Sequence, residues 1–271
     1  MISQLKTAAR FLESRFGEAP EVGVVLGSGL SAFTETLHNT ASISTQEIPG
    51  GVISTVQGHS GKLVVGKVSK NSAKSVAVLA GRIHGYEGNS PHQVVHNLRA
   101  MRLWGIKKFI LTNATGSTKK TFKPGSLVLI SDHINFTCQS PLTGKELFEG
   151  ERFPDMSDAY SKAWRKAAKA VAQRLKIKIQ EGVYGGVLGP SFETPAEIKM
   201  FAQWGASIVG MSTVWETIAL KQMGAEILGI SCVTNFGTGV TNKPLSHREV
   251  LETTKKSQKT FNLFVSELLQ K

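Results

Sequence analysis

Val22-Gly23-Val24-Val25-Leu26 runs directly into Gly27-Ser28-Gly29-Leu30-Ser31-Ala32, and this junction decides the fold. A strand without one polar side chain is buried on both faces, an arrangement that belongs to parallel or mixed sheets covered by helices. A glycine turn at its carboxyl end is where such sheets offer backbone N–H groups to a ligand. Working outward, apolar runs of strand length recur at Leu63 to Val68, Val76 to Ala80, Phe109 to Asn113, Leu127 to Ser131, Val183 to Leu188, Ser207 to Met211 and Ile227 to Thr234. Helical patterns alternate with them. One covers about Ser3 to Phe16, and a second opens at Ser90-Pro91 with Val94, Leu98 and Met101 as its inner face. A third is expected from Ser157 and Asp158, with Tyr160, Trp164, Ala168, Val171 and Leu175 on one side. Thr194-Pro195-Ala196-Glu197 and Ser246-His247-Arg248-Glu249 have capping-box spacing, so two more helices begin there, the last running nearly to the end. The pattern is α/β.

A chain of 271 residues, 41% hydrophobic and 19% charged, buries a sizeable core and is neither disordered nor a disulfide scaffold. Cys138 and Cys232 are far apart and form no metal-ligand pair. No linker, repeat or low-complexity tract divides the chain, so one domain over residues 1–271 is expected. The start lacks a basic flank with an apolar stretch behind it, and no apolar run approaches the roughly 20 residues that span a bilayer, so a soluble, cytoplasmic protein is expected. The net charge of +12 comes from 32 Lys and Arg against 20 Asp and Glu. Much of it falls on amphipathic helices as solvated faces, for instance Lys162, Lys166 and Lys169 or Lys255, Lys256 and Lys259. With no zinc finger, RNP-like motif or basic arm, neither nucleic acid nor membrane is expected as a partner, whereas a small anionic substrate suits the field. The least regular stretches, Glu47 to Gly61, Cys138 to Met156 and Phe236 to Pro244, are where chemistry is expected.

Gly27 to Ala32 also fits the dinucleotide pattern G-x-G-x-x-A, which calls for an acidic residue about 20 positions on, at the end of a second strand. Glu47 is at that distance, but polar Ser42 to Gln46 precede it instead of a hydrophobic strand. A phosphate turn with Ser28 as an added donor fits better. Gly81-Arg82-Ile83-His84-Gly85-Tyr86-Glu87-Gly88 follows a strand and packs polar types where open α/β sheets place ligands. Arg82 there suits an oxyanion gripped by two parallel N–H bonds, with His84 donating a further one. His92 and His96 have the four-residue spacing of a zinc pair, yet Gln93 stands where H-E-x-x-H has glutamate, so no metal is expected. Thr112-Asn113-Ala114-Thr115-Gly116-Ser117 and Val209-Gly210-Met211-Ser212-Thr213 end two more strands in small and hydroxyl residues. If Ser28, Arg82, Asn113 and Ser212 converge, they form a nest of donors sized for one phosphate. Phe192-Glu193 before Thr194 reads two ways: an aromatic platform with a carboxylate for a planar ring's N–H groups, or a staple and a charge at a helix start. No Walker A run, G-x-S-x-G elbow or paired catalytic carboxylates appear.

Together these segments resemble the trimeric purine nucleoside phosphorylases over nearly the whole chain. The resemblance is carried by Gly27-Ser28-Gly29-Leu30, Gly58-His59-Ser60-Gly61-Lys62-Leu63, Gly81 to Gly88, Thr112 to Gly116, Asp132-His133-Ile134-Asn135, Arg152-Phe153-Pro154-Asp155-Met156-Ser157, Gly189 to Thr194, Gly210 to Thr213 and Thr234-Asn235. It implies a single α/β domain with a mixed, partly barrel-like sheet flanked by helices, reversible phosphorolysis of 6-oxopurine nucleosides, phosphate as co-substrate and no cofactor. Ser28, His59, Arg82, His84, Asn113, the Ala114 backbone and Ser212 would then hold phosphate. Tyr86 and Met211 would line the ribose, with His247 near its 5′-hydroxyl and Tyr184 as a supporting residue. Phe192 would pack on the purine, Glu193 would meet its N1–H edge, and Asn235 would donate to N7 and O6. Phe153 would reach into a neighbouring subunit's site, which implies a homotrimer. His84, Glu193 and Asn235 are thereby the expected catalytic residues.

Three positions depart from the family pattern. Asn-Ala-Ala-Gly-Gly reads Asn113-Ala114-Thr115-Gly116-Ser117, and Ser-Thr-Val-Pro-Glu reads Ser212-Thr213-Val214-Trp215-Glu216. Added groups near the phosphate turn and an indole behind Ser212 are the expected consequences. The competing readings are a methylthioadenosine phosphorylase, a nicotinamide-dependent oxidoreductase and a catalytically silent nucleoside-binding protein. Asn235 and His247 favour the 6-oxopurine substrate over the first, because the family's 6-aminopurine relative carries aspartates in its base pocket.

Overall fold

The structure is a computed structural model that describes residues 2–56, 60–72, 74–145, 151–241 and 245–270, and of residues 247 and 248 the backbone only. Strand β1 (Val22–Val25) pairs in parallel with β4 (Ser75–Ala80) on one side and β5 (Lys108–Ser117) on the other. Antiparallel β3 (Lys62–Lys67) and β2 (His38–Ser44) extend the β4 edge. Beyond β5 the sheet closes on itself. β5 pairs with both β8 (Ile208–Gly210) and β9 (Glu226–Phe236), while β7 (Ile179–Gly186) and β6 (Leu127–Asn135) connect β8 back to β9. The sheet is therefore mixed and partly barrel-like.

Both faces of β1 are covered. Val25, with Leu79, Phe109 and Leu111, packs against Ala8 and Leu12 of α1 (Ile2–Phe16) and against Leu98 and Met101 of α3 (His96–Trp104). Val24 and Leu26, with Val78 and Ile110, face Phe261, Phe264 and Val265 of α7 (His247–Leu269) and Val171 of α4 (Lys162–Arg174). Each fully buried side chain of this size contributes about 1.5–3 kcal/mol of transfer free energy. The carboxyl ends of parallel β1, β4, β5 and β9 lie together, and loops leaving them build the cleft described below.

Four local features differ from the sequence reading. The helix opened by Ser90 is α2 (Pro91–Val94) followed after Val95 by α3. Helix α4 is capped by Ser161 and starts at Lys162, whereas Ser157 sits in a turn bonded to Asp155 and Tyr160 is buried ahead of the helix. β2 has an exposed, polar pattern because it is an edge strand paired only with β3. Helix α6 (Val214–Gln222) buries residues all round its axis, so its apolar positions show no helical period. The two predicted capping sites are present: Thr194 and Glu197 exchange bonds at the start of α5 (Pro195–Gln203), and Ser246 accepts from the Glu249 N–H.

The two histidines four apart are loop anchors. His96 Nε2 is 2.9 Å from the Pro49 carbonyl. Arg99, which is buried, binds His92 Nδ1 at 3.2 Å and the Pro141 carbonyl at 2.9 Å, while His92 Nε2 is 3.1 Å from the Thr143 carbonyl. Burial pushes the Arg99 guanidinium down to about 10, leaving it charged at neutral pH. Among the described residues no group of three metal-ligating side chains occurs.

Candidate active site

A cleft opens at these strand ends. Its wall collects Ser28, Arg82, His84, Asn113, Ala114 and Ser212 together with Phe192, Glu193, Asn235, Tyr86 and Met211. Gly27 makes the convergence possible. A Cβ there would lie 2.7 Å from the Asn113 Cα, and its N–H bonds the Thr112 hydroxyl at 3.1 Å, so β1 and β5 approach too closely for any side chain.

The part of the wall formed by Arg82 and His84 is held by carboxylates that sequence reasoning did not assign. Arg82 gives Nε to Glu216 Oε1 at 3.0 Å and Nη2 to Oε2 at 2.8 Å, and Nη1 to the Thr112 carbonyl at 2.6 Å and Ser212 Oγ at 3.2 Å. The two-bond fork expected to grip an oxyanion thus faces Glu216. His84 Nδ1 meets Glu87 Oε1 at 3.1 Å, and the Tyr86 ring stacks on the imidazole at 4.5 Å. Burial, with the Glu87 charge adding, pushes the Tyr86 phenol up to about 12, so it remains a neutral hydroxyl. Glu87 had a signal, three positions after His84 in a turn; nothing in local spacing pairs Glu216 with Arg82, 134 positions away.

Behind this part of the wall lies a chain of hydroxyls. Asn113 Nδ2 donates to Thr213 Oγ1 at 2.8 Å, and Ser212 Oγ is 3.1 Å from Thr213 Oγ1. Thr213 has φ of 71°, which a β-branched residue adopts at a cost of about 1–3 kcal/mol. Tyr184 is fully buried and accepts the Ser212 N–H at 3.2 Å, so it supports Ser212 from behind instead of facing the cleft. Of the departures from the family pattern only Thr115 lines the cleft, and all three side chains have partners within the protein. Thr115 Oγ1 donates to the Cys232 carbonyl, Ser117 Oγ to the Lys119 carbonyl, and the Trp215 indole N–H to Thr137.

Phe192, also on the wall, is 41% exposed. Burial pushes the Glu193 carboxyl above its usual range, and the Glu197 charge adds to this. Helix capping there belongs to Thr194 and Glu197, which leaves Glu193 to the cleft. Asn235 accepts from the Thr234 hydroxyl at 2.8 Å and donates Nδ2 to the Phe236 carbonyl at 3.0 Å, so one amide N–H remains for a ligand. Donation to two acceptors at once, as expected for N7 and O6, requires release of the Phe236 carbonyl.

Besides Tyr184, three expected site residues are not on the described wall. His59 lies outside the described residues, and His247 enters only through the first residue of α7. Phe153 is 87% exposed and away from the cleft of its own chain. The dinucleotide alternative loses its frame. Residues Ser31–Thr36 form a 3₁₀ turn, the next strand is antiparallel, and Glu47 caps Ser44 at 2.7 Å.

Residues 21–270 match the model of the Phosphorylase superfamily. The chain is 43% identical over 267 residues to purine nucleoside phosphorylase 1 of Geobacillus stearothermophilus, covering 98% of this chain and 96% of the relative. It is 45% identical over 248 residues to the purine nucleoside phosphorylase of Mycobacterium tuberculosis, covering 91% and 88%. The fold superposes on Schistosoma mansoni purine nucleoside phosphorylase, solved in complex with adenosine, with a TM-score of 0.92 and 32% identity over 100% of this chain and 97% of that one. A structure of the Schistosoma enzyme with hypoxanthine matches equally, at a TM-score of 0.92. On sequence and fold alike, this chain belongs to the purine nucleoside phosphorylase family.

Proposed function

We propose that the protein catalyses reversible phosphorolysis of 6-oxopurine nucleosides, giving the free base and ribose 1-phosphate, as a single catalytic domain that uses phosphate as co-substrate and no cofactor. The observation that carries this reading is the convergence on one cleft of an anion nest (Ser28, Arg82, His84, Ser212) and a ring-binding group (Phe192, Glu193, Asn235). Phosphate held at the nest lies beneath the sugar and attacks the anomeric carbon as the bond to the purine breaks, so positioning replaces a protein nucleophile. Negative charge grows on the purine, where the Asn235 N–H donates to N7 while Glu193 accepts from the N1–H edge. The Asn235 bond strengthens in the transition state, while Glu193 fixes the orientation of the ring.

The family to which the chain belongs supports a homotrimer in which Phe153, 87% exposed, covers a neighbour's ribose end. Among the described residues no helix is long and apolar enough to cross a membrane, and a cytoplasmic location accords with the substrate. The adenosine held by a structural neighbour makes base preference the point to test. Base release from inosine, guanosine, adenosine and methylthioadenosine is compared in phosphate buffer. Release from inosine and guanosine alone is expected; preferential cleavage of the adenine compounds would move the assignment to the methylthioadenosine enzymes.

A further inference from the structure

Arg82 is 4% exposed and Glu216 2%, so their charges are matched inside the protein. A buried ion pair is a poor route to stability, because desolvation takes back most of the Coulomb gain, and an apolar pair of the same volume serves as well or better. Its geometry is more informative. Arg82 follows β4, and its partners stand on three other elements: Thr112 on β5, Ser212 after β8, and Glu216 in the first turn of α6. The guanidinium plane is thereby fixed against the strand ends that make the nest. Arg82 lines the cleft, whereas Glu216 does not reach its wall.

We propose that Glu216 is a positioning residue for phosphate: by holding the Nε–Nη2 edge of Arg82 it fixes the guanidinium plane at the cleft wall and aligns Nη1 with the Ser212 hydroxyl. Ser212 Oγ accepts from Nη1, so its own hydrogen is directed to another acceptor, the Thr213 hydroxyl, the Tyr184 hydroxyl or the bound anion. The strained Thr213 caps the helix that carries Glu216, so Ser212, Arg82 and α6 form one unit. This inference rests on the reading of the cleft as a phosphate site.

The test measures KM for phosphate and for inosine, and kcat, in wild type, Glu216→Asp, Glu216→Gln, Arg82→Gln and the Arg82→Gln/Glu216→Gln double variant. Glu216→Asp keeps the charge but withdraws the carboxylate by one methylene; Glu216→Gln keeps the shape but not the charge. Each single change at Glu216 is expected to raise the phosphate KM about tenfold or more while the inosine KM stays within about twofold. In the double variant the phosphate KM is expected to be no worse than in Arg82→Gln alone, because both changes act through one guanidinium. If Glu216→Gln does not fold, Glu216→Asp and the uncharged double variant carry the comparison. A phosphate KM unmoved in Glu216→Asp, a parallel rise in both KM values, or multiplicative effects in the double variant would overturn the role. A wild type indifferent to phosphate, or an Arg82→Gln variant with normal phosphate KM, would instead remove the phosphate-site reading beneath it.

Discussion

The Glu87 carboxylate receives His84 twice, through its backbone N–H at 2.8 Å and its Nδ1 at 3.1 Å, and it also takes the Thr55 N–H at 2.6 Å. The orientation of the cleft-lining imidazole therefore depends on an ionised Glu87. Burial pushes this carboxyl up, but the hydrogen bonds from Thr55 and His84 outweigh it and hold the group below its ordinary 4.5. A carboxylate depressed on folding contributes stability above its unfolded pKa and loses it as pH falls through the folded one. Glu87→Gln is expected to melt below wild type at neutral pH, with the gap closing as pH drops beneath 4.5. Thermal melts across pH measure this; a gap that widens in acid contradicts it.

Glu193 has the opposite sign. Burial raises its carboxyl above 4.5, so the protonated form is the one folding favours, and that contribution is lost as pH rises through the folded pKa. Glu193→Gln is expected to melt above wild type at neutral pH, with no difference well below 4.5. The same change lowers kcat/KM for inosine roughly ten- to a hundredfold, the worth of a hydrogen bond to a charged group. A variant that is neither more stable nor less active rules out this placement of the carboxylate.

Asn235 separates stability from catalysis. Its removal leaves the Phe236 carbonyl and the Thr234 hydroxyl one partner short, a cost of about 1 kcal/mol. Loss of a donor to charge that builds in the transition state costs about 3–4 kcal/mol, or about 10²–10³ in kcat. Denaturant unfolding and steady-state rates of Asn235→Ala test the difference, and equal turnover would exclude Asn235 as the leaving-group donor.

Strands buried on both faces were legible because their apolar runs need no partner to be recognised, and Val22 to Leu26 shows why: one residue set serves two cores. The Thr194 cap was legible because a capping box is local. β2 was not, since an edge strand with solvent on its side chains has no apolar signature. Helix α6 failed for the converse reason, burial on every side. At the cleft, donor types at strand ends announced Ser28, Arg82, Asn113 and Ser212, whereas the orientation of Arg82 is set by a carboxylate distant in sequence.

Trp215 stands where the family pattern has proline. Its ring packs on Val95 and Ala219 and lies where a Cβ at Gly85 would come within 2.7 Å, so it fills the space beneath the turn that carries His84. Trp215→Ala is expected to cost about 3–5 kcal/mol by denaturant unfolding. A loss under about 1 kcal/mol would show that the turn does not rest on the indole.

The central claim is that phosphate, held by residues 28, 82, 84 and 212, is the nucleophile. Purified protein is incubated with inosine, with and without phosphate, and both sugar and base products are quantified. The account predicts hypoxanthine and ribose 1-phosphate in equal amounts, and neither without phosphate. Free ribose, or hypoxanthine released at the same rate in phosphate-free buffer, would contradict it.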